Sequence, residues 1–262
     1  MEYLIIGLVS LVVAALTFFS GFGLGTLLMP AFALFFPIEV AIAATAVVHL
    51  VNNIFKVYLV GKDADKKVVL QFGIPAAVLA MVGAWLLNYF TQLPPVYQYT
   101  MAGETYAISP VKLMIALLMI VFAIVELIPV LNKISFKSSM IPLGGALSGF
   151  FGGLSGHQGA LRTAFLVRLG LGKKTLIGTM VVAAVIVDIS RLLIYGVTFF
   201  ERDFQMLSRQ DGLGLVVAGS LAAFIGSYIG AKILDKITLK SLQIFIAVML
   251  LIIAVVLGMG II

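Results

Sequence analysis

Residues 152–159, Gly152-Gly-Leu-Ser-Gly-His-Gln-Gly159, interrupt an apolar stretch with small residues, and Ser20-Gly-Phe-Gly-Leu-Gly25 does the same near the start of the chain. Glycine clusters release backbone N–H and C=O groups from helical pairing. Hydrocarbon tolerates that only where the freed backbone is buried in protein or lines a cavity, so both breaks read as interior. The run Tyr3–Phe36 around the first break holds 34 residues. At 1.5 Å per residue it would extend about 51 Å, against a hydrocarbon core of roughly 30 Å. Such a segment tilts strongly, breaks or turns back.

The two breaks open two copies of one unit. Laying Ser20–Gly61 over Ser155–Gly196 aligns 42 residues without a gap, with identities at Ser20/Ser155, Gly21/Gly156, Leu34/Leu169, Ile42/Ile177, Val47/Val182, Ile54/Ile189 and Gly61/Gly196. Unusual polar residues coincide too, Asn53 with Asp188 and Lys56 with Arg191, and comparable apolar segments follow in each half. The expected organisation is one membrane domain made of an N-terminal repeat, 1–135, and a C-terminal repeat, 136–262.

Composition agrees with a life in lipid. Of 262 residues, 62% are hydrophobic and 11% charged, with a mean hydropathy of +1.20, which is too apolar for an ordinary soluble domain. Stretches long enough to span recur at Val68–Phe90, Val111–Leu131 and Gln243–Ile262. Met1-Glu2-Tyr3 lacks the basic start of a signal peptide, so the first segment is expected to belong to the mature protein. The net charge of +6 would suggest nucleic acid in a soluble chain. Here Lys and Arg occupy short loops, topology accounts for them, and no nucleic-acid partner is expected. The absence of cysteine removes disulfides, thiolate catalysis and Cys-ligated metals. No metal or cofactor is expected.

Loop charges choose between a crossing and a re-entrant broken segment. If both broken segments re-enter, Lys62, Lys66, Lys67, Lys133, Lys137, Arg168, Lys173, Lys174, Lys232, Lys236 and Lys240 fall on one face, leaving mainly Lys112, Arg202 and Arg209 on the other. The positive-inside rule then makes the rich face cytoplasmic and puts both termini outside an inner (plasma) membrane. The expected fold is all-α and polytopic. Each half holds one broken, re-entrant helix hairpin and three transmembrane helices, so the second repeat is inverted relative to the first.

A helix starting after each break aims free backbone N–H groups and its positive end at the membrane centre, and two such ends facing one another suit an anion. Candidate contacts are Ser20, Gly21, Gly23 and Gly25 at the first break and Ser155, Gly156, His157, Gln158 and Gly159 at the second. Arg162 adds a charge whose burial costs at least roughly 2.5–3.5 kcal/mol on insertion scales, so it needs a ligand or a counter-ion such as Asp188. Thr45, His49, Asn52 and Lys56 share one helical face, which with Asn53 makes His49, Asn52 and Asn53 candidate substrate contacts. Asp188 and Arg191 are spaced to pair across one turn. Asp188 is expected to act as counter-ion or proton carrier, and Lys56 and Arg191 could instead snorkel to the interface. His49 and His157 could relay protons or serve structure. Trp85, Tyr89, Tyr97 and Tyr99 read as an interfacial belt.

The glycine-rich break followed by Pro30 and TAVVHLVNNIFK (45–56), repeated as GGLSGHQGALRTAFLVRLG (152–170) and VVAAVIVDISRLLIYG (181–196), resembles the TauE/SafE sulfite exporters, the 4-toluene sulfonate uptake permease family. The likeness spans essentially the whole chain. It implies a duplicated carrier for small anions, with sulfite, organosulfonates and related sulfur-containing or carboxylate compounds as the usual assignments. Gly21, Gly23 and Gly25 match the family's glycine-rich break. The second half departs from the pattern, with Gly156-His157-Gln158-Gly159 and no later proline before the next loop.

The leading expectation is a secondary carrier for a small anion, working by alternating access around a midplane site. No Gly-x-x-x-x-Gly-Lys-Ser/Thr motif supplies ATP chemistry, and proton coupling through Asp188, His49 and His157 is possible. An anion channel is the alternative. A rival from another class, an intramembrane serine hydrolase, draws on Gly153-Leu154-Ser155-Gly156. It requires a base within reach of Ser155, and no histidine follows His157.

Overall fold

A computed structural model describes residues 1–17, 24–128, 136–167, 169–199, 212–233 and 239–262. Helices α1 (Glu2–Thr17), α2 (Leu24–Ala33), α3 (Ile38–Val60), α4 (Lys66–Thr91) and α5 (Pro110–Leu127) form the first half. The second holds α6 (Ile141–Ser155), α7 (Gly159–Leu166), α8 (Lys173–Phe199), α9 (Gly212–Ile233) and α10 (Leu239–Gly258). Four of them, α3, α4, α8 and α9, are long and apolar enough to cross a membrane, and α1, α5 and α10 contain shorter apolar helices. The chain is an all-α membrane protein in its spanning parts. One element lies outside that expectation, an antiparallel hairpin of β1 (Tyr97–Met101) and β2 (Glu104–Ile108).

The outer surface shows which solvent the helices meet. Along α4, Leu70, Ile74, Val78 and Trp85 are all more than half exposed, and their spacing puts them on one face. Small residues of the same helix, Gly73, Ala76, Ala80, Gly83 and Ala84, face inward. Large apolar side chains outside and small ones inside is the arrangement lipid favours, because only the interior gains from close backbone approach.

That close approach is literal between α4 and α6. A Cβ at Gly145, Gly149 or Gly153 would run into the backbone of Phe72, Ala76 or Ala80, and a Cβ at Gly83 into that of Phe150. Glycines recurring every four residues thus let two parallel helices touch main chain to main chain. The pairing of α1 with α9 follows the same rule with the donor reversed: Gly226 and Gly230 of α9 meet the backbone of Leu11 and Ala15.

The second break turns the chain back on itself. Helix α6 ends at Ser155 with Gly156 in the left-handed region (φ +82°), a conformation that favours glycine. Helix α7 then returns along α6, so that Phe165 near its end lies over Gly144 near the start of α6.

Two basic segments, 61–67 and the start of α8, meet at one end of the molecule. The turn Gly61–Asp63 packs on α8, and the backbone N–H of Asp65, the residue that caps α4, donates to Thr179 Oγ1 at 2.9 Å. This draws Lys62, Lys66, Lys67, Lys173 and Lys174 together. Both termini lie at the opposite end, where Ile5 and Ile262 line one cavity. There Lys112 Nζ donates to Ala107 O and Gly260 O at 3.4 and 3.3 Å, and Tyr99 Oη donates to Met259 O at 2.8 Å, clasping the hairpin to the C-terminus.

Candidate functional site

Helices α3 and α8 cross at the centre, and the polar residues the sequence singled out meet there. The Asp188 carboxylate, fully buried, is held by four donors. Oδ2 receives His49 Nδ1 at 2.7 Å and Asn53 Nδ2 at 2.9 Å, both from α3. Oδ1 receives Arg191 NH2 and Gln158 Nε2, each at 2.8 Å. A carboxylate out of water stays ionised only when partners replace its hydration, and this set does so with one guanidinium and three further donors.

Arg191 has a second task. Its NH1 donates to Gly152 O at 3.3 Å, and Tyr195 Oη donates to Gly153 O. Carbonyls at the end of α6 carry its negative dipole end; Gly152 O already accepts the Gly156 N–H at 3.0 Å, and a cation and a hydroxyl from α8 add further donors there. Glycine at 156 suits the positive φ, and an added Cβ would also come within 3.2 Å of Arg191 NH1.

Gln158 links the two arginines of the site. While its amide nitrogen donates to Asp188, its Oε1 accepts from Arg162 NH1 at 2.9 Å, and its backbone carbonyl accepts from Ser148 Oγ at 2.8 Å. Gly159 opens α7, placing Arg162 one turn in. The first break contributes Gly25, where a Cβ would lie 3.4 Å from Gly156 O and 3.7 Å from His49 Cδ2. The start of α2 therefore abuts the second break and the α3 stripe. Ser20, Gly21 and Gly23 lie outside the described residues.

Not every residue of the stripe reaches this centre. Asn52 turns to α9, where its Oδ1 accepts from Ser227 Oγ at 2.7 Å. Lys56 and Arg191 are buried, at 5% and 1% exposure, so neither snorkels to an interface. Lys56 lies within Coulombic range of Arg162, as Arg162 does of Asp188. Among the described residues the buried charged groups are three cations, Lys56, Arg162 and Arg191, and one carboxylate, Asp188. Asn52 Nδ2 and Arg191 Nε are buried without a hydrogen-bond partner among them.

Residues 6–257 match the sulfite exporter TauE/SafE family. The chain belongs to that family. It is accordingly a membrane transport protein. No curated protein and no solved structure is detectably similar to it.

Within this TauE/SafE protein, Ser155 and His157 meet at 3.0 Å, Nδ1 to Oγ. The contact has the wrong polarity for a nucleophile and its base. The same Nδ1 faces Ser155 O at 3.1 Å, which only a protonated ring nitrogen would approach, while Ser155 Oγ donates to Phe151 O at 3.1 Å. The imidazole stacks flat on Phe122, with centroids 5.3 Å apart. His157 is thus a wall of the break, and His49 is the imidazole that touches Asp188.

A cavity of about 430 Å³ lies between α1, α2 and α10, lined by apolar residues that include Leu8, Val12, Leu27, Leu34 and Val256. It shares no residue with the polar centre and offers an anion nothing. Sequence reasoning found the residue types of the TauE/SafE centre and missed two connections. Gln158 as a bridge depends on the reversal after α6, and Tyr195 as a clasp on the end of α6 lying beside α8, neither of which any spacing within one segment reveals.

Proposed function

We propose that the protein is a secondary carrier for a small anion, either a sulfur compound such as sulfite or an organosulfonate, or a short carboxylate. The anion binds at the polar centre between the two breaks. The observation that carries this reading is the charge of that centre. Among the described residues three buried basic side chains, Lys56, Arg162 and Arg191, are gathered with one buried carboxylate, Asp188. Each buried charge costs several kcal/mol unless it is paired and hydrogen-bonded. An oxyanion with three acceptor oxygens brings negative charge to this basic cluster and an acceptor to Arg191 Nε, which is buried without a hydrogen-bond partner among the described residues.

The transport cycle follows from a duplicated, inverted architecture, 1–135 against 136–262, with re-entrant hairpins at α1–α2 and α6–α7. Exchanging the halves maps α1·α9 onto α4·α6 and α3·α9 onto α4·α8, and returns α3·α8 and α5·α10 to themselves. Asn53 and Asp188, equivalent in the repeat alignment, hydrogen-bond to each other. Equivalent residues touch only near a pseudo-two-fold axis, so the anion would sit close to that axis and be exposed alternately as the halves rock.

With the basic end cytoplasmic, both termini face outward across the inner membrane. The chain has no native cysteine, so single cysteines at Glu2 and Ile262 test this directly. Both are expected to react with an impermeant maleimide in intact cells, and protection of either contradicts the topology. The carrier reading predicts saturable counter-flow: proteoliposomes preloaded with a sulfonate accumulate labelled sulfonate transiently. Single-channel currents without counter-flow would support a channel instead.

A further inference from the structure

We infer that the Asp188 carboxylate is the internal competitor of the transported anion, so that an anion enters the site together with one proton. This rests on the anion-carrier reading above and adds its coupling.

Asp188 already occupies the place of an anionic ligand. Its two oxygens take the strongest donors of the centre, Arg191 NH2 and Gln158 Nε2 on one and His49 Nδ1 and Asn53 Nδ2 on the other. Arg162 is turned onto Gln158 Oε1, which positions the same amide towards Asp188. A second anion brought to Arg191, Gln158 and Arg162 would meet a carboxylate within the same donor set. Two negative charges sharing one set in low dielectric repel by several kcal/mol, so one must be neutralised or leave. Protonation achieves this without unfolding the site. The proton adds to a carboxylate oxygen, the neutral acid releases Arg191 and Gln158, and the incoming oxyanion takes their N–H groups. On the far side the anion leaves, the proton departs to water, and Asp188 recovers both donors.

The ionisable groups around Asp188 frame the alternative. Helix α3 supplies His49 and Lys56, α7 supplies Arg162, the α6–α7 link supplies His157, and α8 itself supplies Arg191 and Tyr195. Helix α4 presents Gly73 to Ile186 of α8, and the turn Gly61–Asp63 meets the distant start of that helix. Of these, His49 is the other group placed to take the proton, and it reaches Asp188 on the oxygen that Arg191 does not use.

The test uses methanesulfonate, which does not itself titrate, with the full-length protein in liposomes carrying a pH-sensitive dye. Wild type is expected to acidify the lumen as methanesulfonate enters, and to bind it about tenfold more tightly per unit fall in pH, the slope for one linked proton. Asp188→Asn is expected to bind methanesulfonate with no such slope and without acidification. His49→Gln is expected to keep the slope.

A pH-independent wild-type affinity overturns the inference even if Asp188→Asn cannot be purified. So does acidification that survives Asp188→Asn, or a slope abolished by His49→Gln, which would place the proton on the imidazole. If wild type binds none of methanesulfonate, sulfite, sulfate and acetate at any pH, the anion-carrier reading fails first and takes this coupling with it.

Discussion

Gly149→Val is expected to abolish the folded protein. Every glycine of the α6 stripe faces α4 backbone, and at Gly149 an added Cβ would lie 2.6 Å from Ala76 Cα and 2.7 Å from its carbonyl carbon. Overpacking a core typically costs about 1–3 kcal/mol when side chains can shift. Here the obstacle is main chain, and Gly145 and Gly153 hold the helices equally close on either side. Relief requires the whole pair to separate, and α6 carries the second break, so the loss reaches the site as well. The measurement is size-exclusion and thermal melting in detergent. Gly7→Ala and Gly172→Ala serve as controls, because a Cβ there meets nothing within 4 Å. A monodisperse Gly149→Val protein with an unchanged melting temperature would contradict the account of the interface.

Much of this architecture is legible in the sequence because hydrocarbon leaves the backbone few options. The apolar runs and the second glycine break are local patterns, and they correspond to observed helices and to the observed break at Ser155–Gly159, whereas most of the first break lies outside the described residues. The Asp188–Arg191 pair was readable from its spacing, since residues three apart on a helix are neighbours. The hairpin at Tyr97–Ile108 was less so. Its aromatic residues suit an interfacial belt as well as a strand, and only the Tyr99–Tyr106 cross-strand register distinguishes the two.

Within the site, residue types were predictable and partners were not. Asn52 and Asn53 are adjacent in sequence and about 100° apart on α3, which sends one to Ser227 and the other to Asp188. Nothing in the stripe itself says which neighbour lies on which side. In the sequence Gln158 is legible only as a residue of the break. Its bridging of Arg162 and Asp188 follows from the reversal at Gly156, a tertiary fact.

Arg162 is the residue on which the anion reading turns, and Arg162→Ala is expected to abolish or severely weaken anion binding while leaving the protein folded. Asp188 keeps the four donors it has in the wild type, Arg191, His49, Asn53 and Gln158, so the variant leaves no uncompensated carboxylate in the interior. What it removes is the cation on α7, at the start of a helix whose free N–H groups favour negative charge. Loss of a charge-assisted contact in such a site costs about 1.5–3 kcal/mol, which is roughly ten- to a hundredfold in affinity.

The decisive measurement is thermal stabilisation of the purified protein by sulfite, methanesulfonate, sulfate and acetate, in wild type and in Arg162→Ala. The account predicts that at least one of these anions raises the melting temperature of wild type in a saturable way, and that the shift disappears in a variant that still melts cooperatively. An equal shift in both proteins would remove Arg162 from the site, and no shift in wild type would contradict an anion site at the centre of the fold.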